Sequence, residues 1–110
     1  MKLDTQHTAD ILLIRIVSDN LDASNVDELR KKALPLLGEA RKVVLDLSNL
    51  QFVDSAGLGS LLACLKAVRQ YQGELKLCSL TRPVRALFEL MRMQKVFQIY
   101  DTPDEAVRSF

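Results

Sequence analysis

Tryptophan is absent from this 110-residue sequence, histidine occurs once, and the other aromatics are two tyrosines and four phenylalanines. The formal net charge is only +1. A nucleic-acid binder needs a basic excess to displace counterions and rings on which bases stack, so these two shortages argue against that class. Long apolar runs are also missing. The longest, Ile11 to Val17, is interrupted by Arg15 and falls far short of the roughly 20 residues of a membrane-spanning helix. The opening Met1-Lys2-Leu3-Asp4 lacks the apolar stretch of a secretory signal, and the cytoplasm is the expected location. Cys64 and Cys78 are too few for a disulfide scaffold and too widely spaced for a C-x-x-C redox or zinc pair, so both are expected as buried, reduced thiols.

What is present is globular. Apolar residues make up 48% and charged residues 26%, and no linker, repeat or like-charge block divides the chain, so residues 1–110 read as one domain. Asp10 to Val17 is a mostly buried strand, with a short strand before it near Leu3. A helix starts from Ser24 as N-cap, with Asp27 in capping-box position and Pro35 expected to bend or end it. Lys42 to Leu47 reads as a central strand and Ser48 to Asp54 as a connection. The clearest helix follows, marked by Leu58, Leu61, Leu62, Leu65 and Val68 and closed by Gly73 as C-cap. Glu74 to Leu80 is a further strand. Val84, Leu87, Phe88 and Met91 mark a third helix with Pro83 in its first turn, Val96 to Tyr100 a last strand, and Thr102-Pro103-Asp104-Glu105 opens a final helix. Strands alternating with helices predict an α/β fold, with a mixed, mostly parallel sheet of four to five strands and about four helices.

Chemistry concentrates in Asp54-Ser55-Ala56-Gly57-Leu58-Gly59. Each glycine inside a helix costs about 1 kcal/mol relative to alanine, so two in the opening turns imply a requirement for small residues. Close packing of helix on sheet meets that requirement, and so does close approach of a partner surface. Ser55 is the only hydroxyl in the motif and stands at a helix start, where free N–H groups and the positive end of the dipole accommodate added negative charge. Phosphate there, beside Asp54, would confront a docked partner with bulk and charge. On physics alone, capping of the helix by Ser55 or Asp54 is the better-supported role.

Catalytic readings fare worse. A nucleophile elbow needs glycine where Val53 stands, and the single histidine, His7, is near the far terminus. The dinucleotide fingerprint needs glycine at Leu62, and the phosphate-binding Gly-Lys-Ser/Thr is absent. Asp46, at a strand end, reads as a structural acceptor rather than half of a magnesium or acid–base pair with Asp54. No enzyme activity, metal or cofactor is expected.

Taken together, Val43-Val44-Leu45-Asp46-Leu47-Ser48, Phe52-Val53-Asp54-Ser55-Ala56-Gly57-Leu58-Gly59, Leu87-Phe88 and Asp104-Glu105-Ala106-Val107 give the chain, over essentially its whole length, a resemblance to the STAS domain. That is the domain of bacterial anti-sigma factor antagonists and of sulfate-transporter tails. The resemblance implies that Ser55 is phosphorylated by a partner serine kinase that is itself the anti-sigma factor, and that a PP2C-type phosphatase reverses it. It implies that the unphosphorylated form binds this kinase and frees the sigma factor, whereas the phosphorylated form does not bind. Asp22, Asp54, Ser55, Ala56, Gly57, Leu58 and Gly59 are the expected partner-binding residues. The same switch with a non-sigma output, and a non-switching STAS subunit of a membrane lipid transporter, are the alternatives. Asp19-Asn20-Leu21-Asp22 keeps the Leu-Asp of the family's G-x-L-D without its glycine. Arg92 stands where some antagonists have glycine, and Arg82, Arg85 and Arg92 are expected on one helical face.

Overall fold

In the computed structural model, which describes residues Met1–Phe110, the elements run β1 (Lys2–Thr8), β2 (Ile11–Val17), β3 (Asn20–Leu21), α1 (Val26–Leu37), β4 (Lys42–Asp46), β5 (Phe52–Val53), α2 (Ser55–Gln70), β6 (Glu74–Cys78), α3 (Arg82–Leu90), β7 (Gln98–Tyr100) and α4 (Pro103–Arg108). A short 3₁₀ turn, Met93–Lys95, joins α3 to β7. The main sheet has the order β1-β2-β4-β6-β7. All its pairings are parallel except β1 with β2, which is an antiparallel hairpin, so the mixed α/β architecture matches the sequence reading.

The central strands are apolar at successive positions because both of their faces are covered. Leu12, Ile14, Ile16, Val43, Leu45, Leu75 and Leu77 face α1, α2 and α3 and belong to a core of 23 buried residues that also includes Leu29, Leu61, Val68 and Phe88. On the opposite face a smaller cluster of four buried residues joins Ile11, Val44 and Cys78 of the sheet to Ala106 of α4. The edge strand β1 is longer than the short strand expected near Leu3, and its largely exposed, polar sequence explains why the pattern understates it.

Other expectations need correction. The N-cap of α1 is Asn25 rather than Ser24, because Asp22 organises the preceding turn: its carbonyl accepts from the amides of Asn25 and Val26, and its carboxylate from the amide of Ser24. Pro35 does not end α1, which continues to Leu37; Lys31 and Pro35 both lie on the exposed side of the helix, where a carbonyl without an amide partner costs least. The connection from Ser48 to Asp54 contains β5, which pairs in parallel with β3 as a second small sheet. Gly73 is not the left-handed residue that closes α2. That conformation falls to Gln72, at φ 61°, and Gly73 is required because a Cβ would stand 2.7 Å from the Arg41 carbonyl oxygen. Met91 forms the C-cap of α3 and is half-exposed, while Val84 and Phe88 are buried as expected. Thr102 caps α4 as predicted, its hydroxyl accepting from the Glu105 amide at 3.1 Å.

Candidate functional site

The site forms where the small β3–β5 sheet feeds α2. Asn20 lies opposite Phe52 and Leu21 opposite Val53, and the Leu21 carbonyl accepts from the Asp54 amide at 3.3 Å. Asp54 then leaves the strand in extended conformation (φ −98°, ψ −173°) and becomes the N-cap of α2. One carboxylate oxygen accepts from the Gly57 amide at 2.8 Å, the other from the Ala23 amide at 3.2 Å. A single side chain therefore caps the helix and staples the segment before α1 to it.

Ser55 is the first residue of α2 and is exposed. Since Asp54 supplies the cap, the Ser55 hydroxyl is left without a hydrogen-bond partner in the chain, and the amides of Ser55 and Ala56 have no acceptor there. An exposed nucleophilic oxygen thus stands at the positive end of a helix of 16 residues. The choice between Ser55 and Asp54 as cap, open at the level of sequence, is resolved for Asp54.

The two glycines part company. A Cβ on Gly57 would lie 2.0 Å from the Leu21 carbonyl oxygen, 2.8 Å from the carbonyl carbon and 3.0 Å from a Val53 methyl, so this glycine lets α2 press onto the β3–β5 sheet. A Cβ on Gly59 would meet nothing within 4 Å, and the residue is exposed. The packing reading holds for Gly57, whereas nothing within the chain requires glycine at position 59. Leu58 is buried in the main core, and Ala56 is half-buried. The expected partner-binding residues of this segment divide accordingly: Gly57 and Leu58 face inward, and Asp54, Ser55, Ala56 and Gly59 remain accessible.

Asp22 sits beside this surface, joined to it through the neighbouring Ala23 amide on Asp54. Its carboxylate accepts from the Ser24 hydroxyl, the Ser24 amide at 2.9 Å and the Asn20 side-chain amide at 2.8 Å. These bonds, led by the Ser24 hydroxyl, hold the carboxyl below the usual aspartate range against some desolvation. Asn25 closes the knot, accepting from the Asp22 amide at 2.9 Å and donating to the Asn20 carbonyl at 2.8 Å. Asn20, Ala23, Asn25 and Phe52 are parts of the site that pattern reading did not assign. The asparagines and serine packed around Asp22 in residues 20–25 were the available signal, since such side chains favour local turns. Phe52, 56% exposed at the end of the small sheet, is an apolar ring on otherwise polar ground.

Elsewhere, Asp46 accepts from the Ser48 amide at 2.9 Å, the structural role expected for it. Cys64 and Cys78 are free and buried, and burial pushes both thiols up to about 11. No cluster of three His, Cys, Asp or Glu side chains could hold a metal ion, and no helix is long and apolar enough to cross a membrane. The three arginines do not form one helical face: Arg85 pairs with Asp101 at 3.2 Å, and Arg92 lies beyond α3 at φ 58°, a conformation glycine adopts freely.

Comparison with known proteins agrees with this geometry. The chain is 31% identical over 109 residues to the anti-sigma F factor antagonist of Paenibacillus polymyxa, covering 97% of this chain and 92% of that one. It is 34% identical over 111 residues to BtrV of Bordetella bronchiseptica, covering 100% and 95%. Among solved structures, an anti-sigma-factor antagonist (STAS) domain protein from Planctomyces limnophilus superposes with a TM-score of 0.87 at 23% identity, covering 97% of this chain and 96% of that one. The Bacillus cell fate determinant SpoIIAA in its phosphorylated form superposes at 0.72 and 21% identity, with 98% of each chain covered. The model of the STAS domain matches residues 2–106, and the chain belongs to the STAS domain family.

Proposed function

We propose that this protein is an anti-sigma factor antagonist that acts by partner switching, with Ser55 as the phosphoacceptor. The observation that carries the reading is the division of labour at the start of α2: Asp54 caps the helix, and the Ser55 hydroxyl is exposed and unbonded. The similarity to the Paenibacillus polymyxa anti-sigma F factor antagonist supports the assignment, as does the existence of a phosphorylated form of SpoIIAA. In the unphosphorylated state the accessible surface of Asp22, Asp54, Ser55, Ala56 and Gly59 meets an anti-sigma factor that is also a serine kinase, and the sigma factor is released. Gly57 and Leu58 contribute from within, by fixing α2 on the small sheet. Phosphorylation adds about −1.5 to −2 charge beside Asp54 and repels the partner without disturbing the cap. A PP2C-type phosphatase restores the binding form, and the exchange takes place in the cytoplasm.

The test is incubation with the kinase and ATP, followed by intact-mass measurement and peptide mapping. One phosphate on Ser55, and none on Ser55→Ala, is expected. Phosphate placed elsewhere, with Ser55→Ala labelled as well as wild type, overturns the assignment.

A further inference from the structure

The thin side of the sheet holds an unusual group. Lys76 projects from β6 into the cluster under α4, is 3% exposed, and belongs to none of the ion pairs of the molecule. Buried lysines without an acidic partner are rare, because the ammonium gives up its hydration. Here its three donor directions are met by a different set. The Nζ donates to the Ser109 hydroxyl at 2.7 Å, lies 4.2 Å from the centre of the Phe110 ring, and lies 5.5 Å from the centre of the Tyr100 ring. The Ser109 hydroxyl in turn donates to the Ala106 carbonyl at 2.6 Å, tying the ammonium to the last turn of α4.

Two of those three contacts belong to residues that directly follow α4. Otherwise the helix is lightly held: its one ion pair, Arg108 with Asp104, is internal, and its apolar hold is Ala106 with the partly buried Val107 and Phe110. A six-residue helix that buries Ala106 on three apolar residues of the sheet, set against a main core of 23 residues, fits a unit that opens before the rest unfolds.

We infer that α4 is a strap over the second face of the sheet, that it opens while the main core stays folded, and that Lys76 is the clasp that sets how often it opens. Opening uncovers Val44, Ile11 and Cys78, an apolar strip on the face opposite the one that carries α2. The closed strap keeps that strip from water.

The two cysteines supply the readout. Cys78 lies in the cluster beneath α4 and Cys64 in the main core, and burial suppresses both thiolates, so alkylation of either reports its uncovering. Native protein is treated with N-ethylmaleimide, and each site is followed by peptide mass over a series of urea concentrations below the unfolding midpoint. Cys78 is expected to react at least about tenfold faster than Cys64, at a rate that low urea scarcely changes. Lys76→Met keeps the aliphatic stem, removes the ammonium, and is expected to raise the Cys78 rate by a further factor of about ten while leaving Cys64 unchanged. Phe110→Leu, which removes one ring face from a partly exposed position, is expected to act in the same direction and serves if Lys76→Met folds poorly. Equal rates at the two cysteines, both rising with urea as global unfolding does, overturn the strap. A Cys78 rate unchanged in both variants overturns the clasp, as does a rise shared equally by Cys64.

Discussion

Gly57 and Gly59 stand two residues apart in the first turns of α2 and answer to opposite demands. Gly57 is an internal requirement: Leu21 presses its carbonyl so closely that any side chain collides with backbone. Gly59 is open to solvent and has no internal reason to be glycine. The comparison teaches that this helix start has a structural inner side and a bare outer side, and that Ser55 and Gly59 lie on the bare one. Conformational economy alone favours alanine at Gly59, and the proposed function supplies a reason for glycine there, a partner surface that comes close.

The same substitution at the two positions is therefore expected to have opposite effects. Gly57→Ala is expected to destabilise the protein by about 3 kcal/mol or more, since the obstacle is backbone that cannot swing aside. Urea denaturation that shows a loss below about 1 kcal/mol would remove the close approach of α2 to β3 from the account. Asp54→Ala comes next. It removes the cap and the bond to the Ala23 amide together, and a loss of about 2 kcal/mol is expected, accompanied by faster hydrogen exchange at Ala23 and Gly57. Gly59→Ala should do the reverse of Gly57→Ala and stabilise by about 0.5–1 kcal/mol, while weakening binding to the kinase. Stabilisation with unchanged binding would leave the bare side without a role.

The smallest effect is expected from the knot around Asp22. Its folded pKa is depressed below the unfolded value, so its contribution is present above about pH 4 and is lost as the pH falls through the folded value. Asp22→Asn should flatten part of the acid side of a plot of urea midpoint against pH and leave the neutral region nearly level. An acid limb identical to wild type would show that the Ser24 and Asn20 bonds do not distinguish the charged from the neutral carboxyl.

Most of the architecture could be read from periodicity because the central strands and α2 are long and buried, and burial imposes pattern. The parts that escaped are those whose stability is local or polar. β3 and β5 are two residues each and stand on three-dimensional proximity to α2, which no run of two residues announces. The cap of α1 lies one residue beyond the expected Ser24 because Asp22 and Asn25, rather than Ser24 and Asp27, hold the turn. At the site, the sequence showed that small residues and a hydroxyl were needed at a helix start, but it could not separate a cap from a phosphoacceptor. Two bonds accepted by the Asp54 carboxylate assign the cap to Asp54 and leave the Ser55 hydroxyl unbonded. The clasp at Lys76 had no sequence signal, since its partners lie 24 and more residues away along the chain.

The phospho-switch at Ser55 is tested by affinity for the anti-sigma factor kinase, measured for wild type, Ser55→Ala and Ser55→Asp under identical conditions. Wild type and Ser55→Ala are expected to bind alike and Ser55→Asp to lose binding by about a hundredfold or more, with all three proteins equally folded. Equal affinity of Ser55→Asp and wild type would contradict the switch.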